Sequence, residues 1–402
     1  MSDATATATV GAGATKTDPP RSAARRRRSV VKPLLVAALL VFLLAFPLYF
    51  DEFWLRTGFA VFAAVVGAIG LNLLVGNTGQ LSLAHAFFLA VGAVTYTFVS
   101  AEGGDALGVT DLAGLGLPPV VGMIAGVLAA GLAGLLFSPI SARLGGIYLG
   151  VASLALVFIG QHVFNSWTSV TGGFNGRPVP EFELFGFSFG NDDPELFVLG
   201  VPFRESERLW YLGLFIALGA YLFAHNVLRS RAGRAIQTLR DSETAAAVMG
   251  VNVQAYKARA FLLSSMYAGL AGVLYALSIG SIAPESFGLL LSVAYLAMIV
   301  LGGLGSVTGA ALGALFVTAL PLLFQQYADV LPFVSGAGQG GIAAGEAALY
   351  LYGLAIILVI LFEPAGLAGL ARRISSRFRR ARRPGGKVTR TPTSTSATDA
   401  SA

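Results

Sequence analysis

The sequence predicts an all-α integral membrane protein with about ten transmembrane helices and with both termini in the cytoplasm. Its composition supports this class, because 55% of the 402 residues are hydrophobic and only 12% are charged. A soluble domain carries about twice that share of charge. The 50 glycines favour the same class, since small residues let helix backbones approach closely in lipid.

Ten apolar stretches are candidates for membrane spans, each of which needs roughly 20 apolar residues. With boundaries uncertain by a few residues, they cover about 33–50, 57–75, 81–99, 117–138, 146–165, 208–228, 256–280, 288–303, 305–324 and 345–363. The eighth and ninth are short and interrupted by glycine, so either one is a full span or a broken or re-entrant helix. No Asp, Glu, Lys or Arg lies in the middle of any stretch.

The positions of Lys and Arg predict the orientation, because cytoplasmic loops carry an excess of both. If the N-terminus is cytoplasmic and the chain crosses ten times, 23 of the 27 Lys and Arg residues lie inside. The four outside are Arg56, Arg177, Arg204 and Arg208. The external loop 166–207 is acidic instead, with Glu181, Glu183, Asp192, Asp193, Glu195, Glu205 and Glu207.

This topology divides the chain into three parts. Residues 1–32 and 372–402 are basic cytoplasmic tails that we expect to be disordered and to contact anionic lipid. Residues 33–371 form the membrane domain, in which the cytoplasmic segment 229–257 is the longest polar insertion on that side. The net charge of +6 therefore reflects membrane topology, and we expect no nucleic-acid partner.

The composition also limits the chemistry of this chain. It has no Cys, and its three histidines have no metal-ligand spacing. It contains no G-x-x-x-x-G-K-[ST] loop for binding nucleotide phosphates. We therefore expect no metal site, no cofactor and no enzymatic activity in this chain.

The cytoplasmic segment 229–257 has the pattern of short helices. Either Asp241 or Ser242 can accept hydrogen bonds from free N–H groups and so begin a helix. Glu243 follows in the first turn, where the helix dipole favours an anion, and Gly250 suits a left-handed helix stop. This helix is either a plain surface helix along the membrane or a contact for a cytoplasmic partner.

Six motifs follow one another along the chain. They are GNTGQLSLAHAFFLAVGAVTY (76–96), GGIYLGVASLAL (145–156), TGGFNG (171–176), ETAAAVMGVN (243–252), FLLSSMYAGLAGVLYA (261–276) and VLGGLGSVTGAALGA (300–314). Together they resemble the branched-chain amino-acid ABC transporter permease family, in its M-type form. Ala84 stands where that family usually has Gly, Gly145 stands where it usually has Arg, and the loop 177–207 has no counterpart.

The resemblance implies a permease subunit of an ATP-binding-cassette importer in the bacterial inner membrane. Its partners would be a second homologous permease, two ATP-binding subunits that bind the ATP, and an external solute-binding protein. Branched-chain amino acids are the usual substrates, and close relatives carry urea, short amides or other amino acids. The motif at 243–252 would be the coupling motif, with Asp241 and Glu243 orienting its helix and with Ala245, Ala246 and Gly250 forming its contact face.

Three further motifs each allow a structural and a functional interpretation. Asn77, Gln80, Ser82 and His85 either form hydrogen bonds between helices or line the translocation path. Thr171, Gly172 and Gly173 either form an external turn or contact the binding protein. The small residues of 300–314 favour a tight helix crossing, and the resemblance places them near a subunit interface.

An ion-coupled secondary transporter or channel for small polar solutes is the alternative function. Such carriers usually place carboxylates or cations near the bilayer midplane, and the predicted spans hold none there. This weighs against proton coupling but leaves sodium coupling open.

Overall fold

The computed structural model describes residues 31–106, 109–190, 196–198 and 201–327. From 328 onward it describes only positions 347, 350, 352–354, 356–358, 361, 366–369 and 373. Nearly all of the predicted tails, 1–32 and 372–402, therefore lies outside the described residues. So do parts of the tenth predicted span, 345–363, and of the loop 166–207.

The described residues form twelve α-helices, and nine of them fall on the first nine predicted spans. The helices are α1 Val31–Ala45, α2 Glu52–Leu71, α3 His85–Ser100, α4 Pro119–Arg143, α5 Gly146–Ser166, α6 Thr168–Thr171, α7 Glu205–Arg229, α8 Arg231–Asp241, α9 Glu243–Val248, α10 Val253–Ile279, α11 Leu289–Gly302 and α12 Val307–Gln326. The chain divides into two compact units, Met1–Ala45, which contains α1, and Phe46–Ala402, which contains the others.

Seven helices in the described part of the chain are long and apolar enough to cross a membrane. They are α2 with its π-helical extension Asn72–Gly76, α4, α5, α7, α10, α11 with the turn before it, and α12. Two shorter apolar helices cover Leu34–Leu48 and His85–Ser100. The predicted class of multi-pass helical membrane protein is confirmed at this level, whereas ten spans and cytoplasmic termini stay predictions.

Helices α2 and α10 form the centre of the second unit. In their most apolar windows 78% and 72% of the residues are buried, against at most 39% in the other five long helices. Small residues make this packing possible, because a Cβ atom on Gly92 of α3 would overlap the backbone of Gly269 in α10. In the same way, Gly302 of α11 and Gly309 of α12 bring two backbones into contact. The tight crossing interpreted from 300–314 is therefore present.

The third predicted span, 81–99, is helical only from His85 onward. After the π-helix the chain leaves helical geometry at Gly79, whose φ of +73° lies in the left-handed region. Residues 79–84 are then non-helical, and α3 begins at His85. We call residues 77–85 the break segment. Discontinuous helices of this kind often form the solute sites of transporters.

In the part of the chain that the structure describes, loop residues form four small antiparallel sheets of two strands each, which the sequence pattern did not predict. The pairs are β1 Gly104–Ala106 with β2 Val109–Leu112, β3 Arg177–Pro178 with β8 Ser281–Ile282, β4 Glu183–Leu184 with β5 Phe187–Ser188, and β6 Leu196–Val198 with β7 Val201–Phe203. Strands of two to four residues are too short to show an alternating pattern. The pair β3–β8 joins two loops that the sequence predicts to be external.

Candidate functional site

Local caps define the two short helices of the cytoplasmic segment 229–257. Ser230 Oγ accepts a hydrogen bond from the Gly233 amide and begins α8. Ser242 Oγ accepts one from the Ala245 amide at 3.2 Å and begins α9. Of the two predicted caps, Ser242 therefore has this role, and Asp241 is the last residue of α8. The serine between the helices lets the chain change direction, so that α9 leaves the line of α8.

The first turn of α9 is joined to α10 by an ion pair. Lys257 Nζ lies 2.7 Å from Glu243 Oε1, and the Lys257 side chain is only 7% exposed whereas that of Glu243 is 57% exposed. Glu243, which the sequence predicts to orient the helix, therefore has Lys257 as its ionic partner. The sequence analysis did not predict this pair. A Lys one turn into an apolar helix could have signalled it, because a buried ammonium group needs a partner.

Helix α9 ends at a left-handed glycine. Gly250 has a φ of +81°, and the Val251 amide donates to the Ala246 carbonyl at 3.0 Å, which closes the turn. No atom lies within 4 Å of a Cβ built on Gly250. The backbone conformation, and not a lack of space within this chain, therefore explains glycine at this position.

The two faces of α9 differ in exposure. Ala246 is fully buried in its own chain, so it lies on the inner face and is removed from the predicted contact face. Ala245 and Gly250 are exposed. Two apolar side chains that the motif did not single out are exposed beside them, Val248 at 84% and Met249 at 64%. The outer face of α9 is thus small and apolar at its C-terminal end.

The four predicted path residues of the break segment, Asn77, Gln80, Ser82 and His85, are all buried, and the first three form hydrogen bonds within or next to the segment. Asn77 Nδ2 donates to the Asn72 carbonyl at 3.0 Å, and Gln80 Nε2 donates to Thr78 Oγ1 at 3.1 Å. Ser82 Oγ accepts from the Ala84 amide. These bonds support the structural interpretation for Asn77 and Ser82, whereas Gln80 Oε1 and His85 Nε2 are buried without a hydrogen-bond partner and leave the path interpretation open for those two residues.

Two backbone amides in and next to the break segment donate to other helices, and the His85 side chain forms a hydrogen bond with the Gly67 backbone of α2. The Leu83 amide donates to Ser153 Oγ of α5 at 2.8 Å, and the Ala86 amide donates to Ser292 Oγ of α11 at 3.0 Å. His85 packs its ring edge-on against Tyr295 with 4.8 Å between the centroids. The break segment is therefore held between α5 and α11 by two serines that sequence reasoning did not identify.

The TGGFNG motif, which the sequence predicts to be external, forms a turn whose first three residues are buried. Thr171 Oγ1 donates to the Phe164 carbonyl at 2.6 Å and accepts from the Gly173 amide at 3.1 Å. Thr171, Gly172 and Gly173 are all buried, and the next residue, Phe174, is exposed. The structural interpretation of the three predicted residues is favoured, and Phe174 and Asn175 are the exposed residues of the motif that a partner can reach.

Two of the four arginines predicted to lie outside are structural. Arg177 Nη1 donates to the Val170 and Ala113 carbonyls at 2.7 and 2.9 Å, and burial lowers the pKa of its guanidinium group. Arg208 Nη1 donates to the Ser188 carbonyl at 2.8 Å. These two side chains hold together loops that the sequence predicts to be external.

Within the described ranges, no group of three or more His, Asp or Glu side chains is arranged to hold a metal ion. The arrangement instead combines a helical bundle, an interrupted span and a short exposed helix between two long ones. Such parts can move relative to one another and can contact another protein.

Comparison with known proteins agrees with this arrangement. A family model described as "Branched-chain amino acid transport system / permease component" matches residues 54–361. The high-affinity branched-chain amino acid transport system permease protein LivM of Escherichia coli (strain K12) is 28% identical over 354 residues, which are 86% of this chain and 76% of LivM.

Two further relatives carry related names. The permease protein BraD of Pseudomonas aeruginosa is 26% identical over 312 residues, which cover 75% of this chain and 90% of BraD. The permease protein LivH of Salmonella typhimurium is 24% identical over 309 residues, with the same two shares. No solved structure gives a significant match. Because the family model covers most of the chain, the protein belongs to the branched-chain amino acid transport system permease family.

Proposed function

We propose that this chain is a membrane-spanning subunit of an ATP-binding-cassette importer that carries branched-chain amino acids across the bacterial inner membrane. The observation that carries the proposal is the geometry of α9. It is a capped helix, tied to α10 by the pair Glu243–Lys257, with Val248 and Met249 exposed at its end. A helix of this kind can insert into a cleft of an ATP-binding subunit, and we call it the coupling helix.

The same proposal assigns the partners. The chain resembles relatives of two kinds, LivM and LivH, whose names describe permease proteins of the same kind of transport system. We infer that a second, homologous permease completes the translocation path and that two ATP-binding subunits bind ATP outside this chain. A solute-binding protein would contact the external loops, where Phe174 is exposed.

The coupling helix would transmit ATP binding as a shift between two arrangements of the bundle. Asp241 and Glu243 orient the helix, whereas Ala245, Gly250, Val248 and Met249 form its contact face. We propose that the break segment is also part of the path, because Gln80 Oε1 and His85 Nε2 are buried there without a hydrogen-bond partner and so could bond to a solute when the bundle opens. The solute-binding protein, and not this chain, would select leucine, isoleucine and valine over urea and short amides.

The test is solute uptake by proteoliposomes that contain the complete importer, with the binding protein outside. We expect labelled leucine to accumulate only when ATP can reach the ATP-binding subunits, and we expect an ionophore to have no effect. Unlabelled valine should compete, and urea should not. Accumulation by this chain alone, driven by an ion gradient, would instead establish the alternative of a secondary transporter.

A further inference from the structure

Arg240 joins the cytoplasmic segment to the end of α2. It lies at the C-terminal end of α8, two residues before the cap of the coupling helix. Its Nη1 atom donates a hydrogen bond of 2.6 Å to the Gly76 carbonyl, across a separation of 164 residues in sequence. Gly76 is the last residue of the π-helix that ends α2, so the bond reaches the residue that precedes the break segment.

A second hydrogen bond brings a third element to the same place. The Gly305 amide, in the turn between α11 and α12, donates to Asn72 Oδ1 of the π-helix at 2.9 Å. A Cβ atom on Gly305 would lie 2.9 Å from Arg240 Nη1 and 3.2 Å from the Gly76 oxygen. The guanidinium group therefore lies beside both backbones, where there is no room for a further side chain.

The geometry also places Arg240 next to the break segment itself. A Cβ atom built on Gly79 would lie 3.7 Å from Arg240 Cγ, and Gly79 is where the chain leaves helical geometry. A π-helical turn often marks a functional position, because its wide turn is easily rearranged. A displacement of α8 would thus act first on the carbonyl at the junction of α2 and the break segment.

We propose that Arg240 is a positioning residue that transmits movement of the coupling helix to the break segment. This inference rests on the proposed function and specifies how one contact serves it. The hydrogen bond from a charged donor is stronger than one from a neutral donor, so α8 and Gly76 move together. When the coupling helix shifts, the break segment shifts with it, while Glu243–Lys257 keeps the helix attached to α10.

The experiment uses the complete importer and the variants Arg240→Ala and Arg240→Lys. The matched control is Arg234→Ala, because Arg234 lies on the same helix and donates to the Arg229 carbonyl of its own segment. The chain has no Cys, so Leu81→Cys places a single thiol of this chain in the break segment. Its rate of reaction with a soluble maleimide is measured with and without an ATP analogue, together with ATP hydrolysis and leucine uptake.

We expect the nucleotide to change the labelling rate in the Leu81→Cys reference and in the Arg234→Ala control. In Arg240→Ala this change should disappear, and uptake per ATP should fall about tenfold, the factor that corresponds to about 1.4 kcal/mol. The ATP-binding subunits should still co-purify. Arg240→Lys should be intermediate, because an ammonium group can donate to the same carbonyl without the planar fork.

Two results would overturn the inference. If Arg240→Ala keeps the nucleotide-dependent labelling, the contact does not transmit movement. If the variant loses its ATP-binding subunits, Arg240 acts in assembly and not in transmission. A reference importer that takes up leucine without ATP would contradict the proposed function itself, and so is distinguished from failure of the Arg240 contact.

Discussion

Lys257 and Glu243 form an ion pair between the start of α10 and the first turn of α9, with 2.7 Å between Nζ and Oε1. The two partners are unequal, since the ammonium group is buried and the carboxylate is largely exposed. Because of this difference in burial, we expect substitutions of Glu243 and of Lys257 to change the stability of the protein by different amounts.

Glu243→Gln should destabilise the protein more than Lys257→Met. The first change leaves a charge buried without its partner, which we expect to cost about 1–2 kcal/mol, between the values for exposed and buried pairs. The second replaces the buried charge by an apolar side chain and leaves a carboxylate that water can solvate. Thermal unfolding of the purified chain in detergent checks this order, with the exposed Thr244→Ala as control, and the reverse order would contradict it.

Gly250→Val should uncouple transport from ATP hydrolysis without preventing membrane insertion. The left-handed backbone costs a β-branched residue about 1–2 kcal/mol, and the new side chain would point into space that a partner is proposed to fill. Gly250→Asn should retain more uptake, because Asn tolerates this conformation. Leucine uptake, ATP hydrolysis and the amount of chain in the membrane are measured together. Normal uptake by Gly250→Val would remove Gly250 from the coupling face.

Ala246→Leu and Ala245→Leu separate the inner from the outer face of α9. The first adds bulk at a fully buried position, and overpacking of this kind costs about 1–3 kcal/mol. The second adds bulk at an exposed position, so stability should be unchanged while less ATP-binding subunit co-purifies. Thermal unfolding measures the stability of each variant, and co-purification measures how much ATP-binding subunit it retains. Equal behaviour of the two variants would mean that α9 has no dedicated contact face.

Arg177→Met should destabilise the external loops. It leaves the Ala113 and Val170 carbonyls without the donor they have now, and because both hydrogen bonds are only part-buried we expect a total cost of about 1–3 kcal/mol. Arg56→Met is the matched control, because its pair with Glu52 is exposed and contributes about 1 kcal/mol or less. Limited proteolysis of intact vesicles from the external side measures loop stability. Equal protection of both variants would argue against a structural role for Arg177.

Local chemistry made much of this structure predictable. Hydropathy predicted nine of the helices, because a span needs a long run of apolar residues that are consecutive in the sequence. Ser242 and Gly250 were recognised because a cap and a left-handed stop depend on the residue itself. The break at Gly79 also depends on the residue itself, since glycine tolerates its φ of +73°, but the sequence analysis did not predict it.

Contacts between distant residues were not predictable in this way. Nothing near Arg240 in sequence points to Gly76, and nothing near Leu83 points to Ser153. The sequence also did not predict which residues are buried in two motifs, TGGFNG and ETAAAVMGVN. Thr171, Gly172 and Gly173 are buried in their turn. Ala246 is buried against its own chain, and the three consecutive alanines 245–247 carry no polar side chain that would distinguish the inner from the outer face.

The most direct test of the coupling role is a cross-link from Val248, whose side chain is 84% exposed in this chain. In a chain without other cysteines, Val248→Cys is treated with a short bifunctional reagent in the complete importer. We expect a product that joins this chain to an ATP-binding subunit, with a yield that changes when ATP is added. A thiol that reacts freely with soluble maleimide in the assembled importer, and that gives no such product, would contradict the account.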